Sequence, residues 1–425
     1  MRNQLRIQAL SLEQQELQNK WAEGPVAPTN AASCNSAGLH INSHFDSGNI
    51  EVIDIRDASN IQLSIHEDPY CDTDKRSHFQ WYHFRVSGTS RSRSLRMHIL
   101  NAGAASFPDA WSGYQSCASY NLKDWFRAST SYDQGSGILT IEHTVKSGMD
   151  AIYFAYFSPY TLGRHQQLIA DMQCSPRVAL QVIGQTLDGH DLDLLRLGRE
   201  EGVMGKRKIW VVCRQHPGES MAEWWAEGFL RRLIDRDDPV ARRLLREAEI
   251  FVVPNMNPDG SWRGHLRVNA SGANLNRCWA NPSMQASPEV FLVKQMMEQE
   301  GVDLMLDVHG DEDLPYNFIS GNEGIPGWTP RLAHLQATFS DALGRCSPDF
   351  QTKYGYPIEE QGTANMGICS SAVGQLFDCC AMTLEMPFKD TADTPEAVKG
   401  WSPERCLRFG AAALGAMLEI LPHLR

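Results

Sequence analysis

The segment RQHPGES, residues 214–220, sets His216 and Glu219 three positions apart. It follows the apolar run IWVVC and precedes the helical run MAEWWAEGFLRRLI, so it reads as a strand-to-helix turn. Pro217 and Gly218 bend the chain there, which lets both side chains converge on one point. Imidazole nitrogen and carboxylate oxygen are donors that zinc takes at about 2.0–2.2 Å. Two donors do not close a site. The run MLDVHGD supplies a third, His309, at the end of another apolar strand. In open α/β sheets ligands bind beyond the carboxyl ends of the strands, where both segments lie. A catalytic zinc uses three protein ligands and keeps one position open. His216, Glu219 and His309 satisfy that for one zinc per chain. A single histidine after a strand is more often a hydrogen-bonded structural residue; the conjunction at two strand ends is what points to a metal. Asp307, two residues before His309, is a candidate to orient it.

Two further segments carry chemistry. NPDGSWRGHLRVNASGANLNRCW, residues 257–279, is rich in turn formers and holds Arg263, Arg267 and Arg277. Asn276 and Arg277 form a donor pair suited to a carboxylate, because a guanidinium is a planar fork. Arg267 is suited to stabilising an oxyanion. In CCAMTLEMPF, Glu385 ends an apolar, strand-like run. A carboxylate is costly to bury there unless it has a partner or a task. Beside a metal-activated water, whose pKa falls toward 7, Glu385 serves as the general base.

The elements that must hold these residues follow from periodicity. Residues 1–36 are polar and end in a Pro-, Ala-, Ser- and Asn-rich stretch, a leader or linker without chemistry. Residues 37–161 show short alternating runs, among them IEVIDI, FQWYHFRVSG and GILTIEHTV, separated by turn formers; they predict an antiparallel β-sandwich domain. From 162 to 425 apolar strands alternate with helices, which predicts an α/β catalytic domain with helices on both faces of a mostly parallel or mixed sheet.

Composition sets the limits. The chain has 425 residues, 42% of them hydrophobic, an ordinary globular share. Its 39 basic and 51 acidic residues give a net charge of −12, which argues against nucleic acid as a partner. The 11 cysteines are odd in number and form no CxxC pair, so reduced thiols fit better than a disulfide framework. No secretory pattern and no apolar stretch of membrane-spanning length is evident. A soluble, cytoplasmic protein is expected, with no membrane partner.

Taken together, HPGE, NPDG, the LNR tripeptide, the strand-end histidine and TLEMPF resemble the carboxypeptidase A-type zinc metallocarboxypeptidases. FDSGNIEV and FQWYHFRVSG look like the amino-terminal domain of the cytosolic carboxypeptidase branch, whose eukaryotic members are known as protein deglutamylases. The resemblance spans roughly residues 40–420. It implies an α/β/α sandwich around a mixed sheet, preceded by a β-sandwich. It also implies a hydrolase that cleaves the C-terminal peptide bond of peptides or proteins. In that scheme His216, Glu219 and His309 hold zinc and Glu385 is the catalytic glutamate. Arg267 polarises the scissile carbonyl, and Asn276 with Arg277 binds the terminal carboxylate.

The sequence departs from the family pattern in three places. Asn274 stands where an acidic residue is expected. The segment 360–384 holds no tyrosine, although pancreatic-type members have one some twenty residues before the catalytic glutamate; Tyr354 and Tyr356 lie further upstream. The same segment holds no Lys or Arg and offers Gln361, Thr363, Asn365, Ser370 and Ser371. The expectation is a polar or acidic terminal residue, with Lys389 or Arg263 as an outside source of positive charge. Two other readings stay open: a zinc amidohydrolase of the aspartoacylase-like type acting on small acyl-amino acids, and a non-catalytic binding module. The long β domain speaks against the first and the intact donor set against the second.

Overall fold

The computed structural model describes residues 38–71, 77–199 and 205–425. The leader expected over 1–36 lies outside the described residues.

A seven-stranded mixed sheet organises the second part of the chain. Its order is Val178–Gln185, Asp191–Leu197, Ala248–Val253, Arg207–Cys213, Leu304–Val308, Cys380–Glu385 and Phe318–Ser320. The four strands from Ala248–Val253 to Cys380–Glu385 run parallel, and the flanking strands are antiparallel. Ala248–Val253, Leu304–Val308 and Cys380–Glu385 are buried at every position, because helices cover both faces. Ile209, Val211 and Cys213 join one apolar core with the helices Met221–Leu233 and Pro403–Ile420. Trp210 and Val212, one residue out of phase, join a second with the helices Pro288–Glu300 and Cys369–Phe377. On the first face two helices touch backbone to backbone. A Cβ added to Gly228 would lie 1.9 Å from Leu407 O, and one added to Gly410 would lie 2.0 Å from Trp225 O.

Residues 38–160 form two five-stranded sheets whose inward residues share the first core. One sheet is antiparallel throughout. In the other, Asn60–Ser64 runs parallel to Ser94–Ile99 while its other pairs are antiparallel. The chain between them crosses to the other sheet to form His83–Ser87, so both strands enter from the same end. FQWYHFRVSG yields a strand only over His83–Ser87; Phe79, Trp81 and Tyr82 are buried outside it. Cys117, Cys213, Cys369, Cys379, Cys380 and Cys406 are buried free thiols. No helix among the described residues is long and apolar enough to cross a membrane.

The β sheets also brace the loops beyond the ends of the central strands. Arg127 donates to the carbonyls of Lys399, Phe388 and Trp401 at 2.8–3.0 Å. The Tyr156 ring stacks on Phe388, centroids 4.6 Å apart, just past Glu385.

Candidate active site

The three candidate donors and Glu385 come from points where parallel strands end. The strand Arg207–Cys213 stops at Arg214, whose φ of +58° turns the chain away from the sheet. That turn delivers His216 and Glu219, and the next strand, Leu304–Val308, delivers His309. His216 Nδ1 lies 2.6 Å from one Glu219 oxygen, and His309 Nδ1 lies 2.7 Å from the other. One donor atom from each residue can be chosen so that all three fall within 4.8 Å of one another.

The far edges of both imidazoles are engaged. His216 Nε2 faces Asn274 Oδ1 at 3.1 Å, and His309 Nε2 is 2.9 Å from Asp307 Oδ1. The Asn274 acceptor holds the His216 ring proton at Nε2 and leaves its Nδ1 lone pair facing inward, while Asp307 sits at ion-pair distance beside His309. Asp307 is itself held: Gln215 Nε2 donates to its Oδ2 at 2.7 Å, and Trp279 Nε1 donates to Gln215 Oε1 at 2.8 Å. Gln215 and Trp279 were missed from the sequence. A polar residue between a buried strand and a histidine was the available signal for Gln215.

The electrostatics call for a cation. Burial, reinforced by Arg267, lowers the pKa of His216 to about 3 and keeps the ring neutral. At His309 burial acts in the same sense, but Asp307 and Glu219 prevail and raise its pKa well above the usual value. Burial opposes charge on Glu219 too, yet the two imidazoles hold its carboxyl below the usual range. Glu385 and Glu312 lie in the same cavity, and burial raises both well above ordinary carboxyls. His309 lowers Glu385, while Glu219, Asp311 and Glu312 push it further up. Glu385 Oε2 is buried without a hydrogen-bond partner among the described residues. Two imidazole nitrogens turned to one shared carboxylate, beside this group of acids, are a donor set that fits a divalent ion at His216, Glu219 and His309.

The site opens into a cavity of about 840 Å³. Arg267, Asn276, Arg277 and Glu385 line it together with the three donors. Arg267 makes no side-chain hydrogen bond or ion pair among the described residues. Asn276 is partly committed to structure, its Oδ1 accepting from Cys369 N at 2.8 Å. Of the residues expected to line the side-chain pocket, Ser370 and Ser371 do so, joined by Ser320 and Thr383. Gln361, Thr363 and Asn365 do not; their side chains bond to nearby backbone instead. The two outside cations are also placed elsewhere. Arg263 pairs with Asp188 at 2.6 Å, and Lys389 donates to Ser112 O at 3.0 Å. Lys353 lines the cavity instead. Tyr356 lines it too, its hydroxyl donating to Asp311 Oδ2 at 2.5 Å.

Comparison with known proteins gives the family and the fold. Residues 166–394 match the zinc carboxypeptidase family, and residues 41–157 match the cytosolic carboxypeptidase N-terminal domain. A metallo-carboxypeptidase of Pseudomonas aeruginosa, solved with (2-guanidinoethylmercapto)succinic acid, is 42% identical; the match covers 91% of this chain and 100% of that one, with a TM-score of 0.85. A metallo-carboxypeptidase of Burkholderia cenocepacia is 40% identical over 90% of this chain and 99% of that one, with a TM-score of 0.86. Cytosolic carboxypeptidase 6 of Caenorhabditis elegans is 25% identical over 85% of this chain and 81% of its own length.

Proposed function

The chain belongs to the zinc carboxypeptidase family, in its cytosolic carboxypeptidase branch, and from that premise we propose that it removes single residues from peptide or protein C-termini through the site built on His216, Glu219 and His309. It is a metallocarboxypeptidase with zinc as its cofactor. The observation that carries the proposal is the pairing of inward-facing His216 Nδ1 and His309 Nδ1 on one Glu219 carboxylate, in the cavity where Glu385 Oε2 stands without a partner.

When bound, zinc supplies a Lewis acid that polarises the scissile carbonyl and lowers the pKa of the attacking water. The rest falls to the chain. Arg277 and Asn276 grip the terminal carboxylate, which selects an exopeptidase register. Arg267 faces the oxygen on which negative charge develops. Glu385 takes a proton from the water at Oε2 and passes it to the leaving amine. Asn274 and Asp307 fix the two imidazoles. We take residues 37–161 and 162–425 as separate domains, the second catalytic. A polar or acidic terminal residue, glutamate among them, is the proposed substrate class.

The test compares a peptide with its C-terminal amide. Amidation should abolish most cleavage by the wild type and matter little in Arg277→Ala, whose contact is already lost. Equal cleavage of both peptides by wild type rejects the exopeptidase reading. Turnover confined to small N-acyl amino acids favours the amidohydrolase. For the donors, His309→Ala should lose zinc by elemental analysis while keeping its circular dichroism; one zinc per chain in that variant rejects the assignment.

A further inference from the structure

We propose that Asp68, a residue of the N-terminal β region, is a positioning residue for catalysis that fixes the backbone from which Arg267 reaches the cavity. The inference rests on the role given above to Arg267. Asp68 is buried, and its carboxylate accepts three successive amides of the distant loop. Oδ1 accepts from Leu266 N at 2.7 Å, and Oδ2 accepts from Arg267 N at 2.7 Å and Val268 N at 3.1 Å. A carboxylate suits this task because it only accepts, and charge shortens and strengthens each bond.

The loop's carbonyls are fixed as well. Leu266 O accepts from Gly218 N at 2.9 Å, within the turn that carries His216 and Glu219. Val268 O faces His265 Nδ1 at 3.0 Å. Asn49, also in the β region, donates from Nδ2 to Gly264 O at 3.0 Å. There is no slack at the loop's edges. A Cβ on Gly264 would meet Gly48 O at 2.6 Å, and one on Gly272 would meet Tyr70 O at 1.9 Å. The root of Arg267 is thus held from both sides, while its guanidinium, free of hydrogen bonds among the described residues, lines the cavity. A fixed root with an unengaged head is what a preorganised oxyanion donor needs. Arg127 joins the β region to the chain near Phe388 and Trp401, and so ties the two parts without touching this loop.

Asp68→Asn keeps the shape and turns one acceptor into a donor facing an N–H. In the zinc-loaded enzyme kcat should fall about 10²-fold, the loss expected for a reacting group displaced by about 1 Å. KM and zinc content should stay nearly unchanged. In an Arg267→Ala background the same substitution should add little, because the group it positions is gone. Wild-type kcat in Asp68→Asn, or losses that multiply in the double variant, overturns the proposal. Near-normal kcat in Arg267→Ala overturns the role of Arg267 and this inference with it, whereas loss in Arg267→Ala alone overturns only the part of Asp68. Should Asp68→Asn not fold, Asp68→Glu, which keeps the charge and displaces the carboxylate from these amides, is taken through the same cycle and judged by the same outcomes.

Discussion

Asn274 Oδ1 lies 3.1 Å from His216 Nε2, and this contact settles which nitrogen of that ring faces Glu219. With the proton held at Nε2, Nδ1 presents its lone pair toward the donor cluster. A neutral amide does this, so the ring is oriented without a negative charge behind it. His309, by contrast, has Asp307 at 2.9 Å. The two imidazoles therefore differ in the partner behind them, and as the proposed ligands they should differ in strength. Asn274→Ala should weaken zinc binding about 10–100-fold, the usual cost of losing such an outer partner. Asn274→Asp should tighten it. Chelator competition on the purified protein reads both, and three equal affinities would detach Asn274 from the metal.

Glu385 presents the second expectation. Its Oε2 is buried without a partner among the described residues, and burial raises its pKa, with Glu219, Asp311 and Glu312 acting in the same sense. Glu385→Gln keeps the volume and removes the base. It should retain zinc and substrate binding while turnover falls by ~10²–10⁴-fold. Turnover near wild type would mean that another group takes the proton.

The turn that carries His216 and Glu219 stands on a buried charge network, which makes stability depend on pH. His165 Nδ1 is 2.6 Å from Glu223 Oε1, and its Nε2 is 3.3 Å from Asp193 Oδ2. Glu223 in turn pairs with Arg214 at 2.8 Å, at the root of the turn. Burial lowers the His165 pKa, but Glu223 and Asp193 outweigh it and raise it from 6.5 to about 9. The folded value exceeds the unfolded one, so the stabilisation is full below 6.5 and is lost as pH rises through about 9. Urea denaturation at pH 6.5 and 9.5 should show a smaller loss of stability in His165→Asn than in wild type. An equal loss in both would place the pH dependence elsewhere.

The sequence made legible what sits at strand ends. HPGE, the late histidine and TLEMPF each close an apolar run, and in the parallel sheet those ends lie side by side. Its periodicity likewise revealed the change from β sheets to α/β. Other features were out of reach because their partners are remote in sequence. Asp68 meets Leu266, Arg267 and Val268 across 198–200 residues, and nothing local to Asp68 announces it. Tyr356 enters the cavity from a loop upstream of residues 360–384, the stretch in which the family pattern sets a tyrosine. Asp307 required geometry to be placed, because its distance to His309 depends on where the strand stops.

Specificity depends on what charge the cavity can offer a terminal side chain. Ser320, Ser370, Ser371 and Thr383 line it, with Thr383 Oγ1 donating to Ser370 Oγ at 3.2 Å. These are neutral groups, each worth about 0.5–1.5 kcal/mol net as a hydrogen bond. Glu323 also lines the cavity, and a carboxylate there disfavours an acidic side chain. Arg263 and Lys389 are engaged elsewhere. Lys353 is the remaining lysine at the cavity; it is exposed, its Nζ 4.7 Å from the centre of the Tyr354 ring. An exposed ammonium, screened by water and salt, contributes little to discrimination. Peptides ending in Glu should therefore be preferred only modestly over those ending in Gln, and Lys353→Ala should narrow the difference further. The measurement is the ratio of kcat/KM for the two peptides at fixed salt. A ratio above about 10³, equivalent to ~4 kcal/mol, would demand a buried cationic partner besides Arg267 and Arg277, to which other tasks are given. A strong preference for Phe or Leu would sink the polar pocket itself.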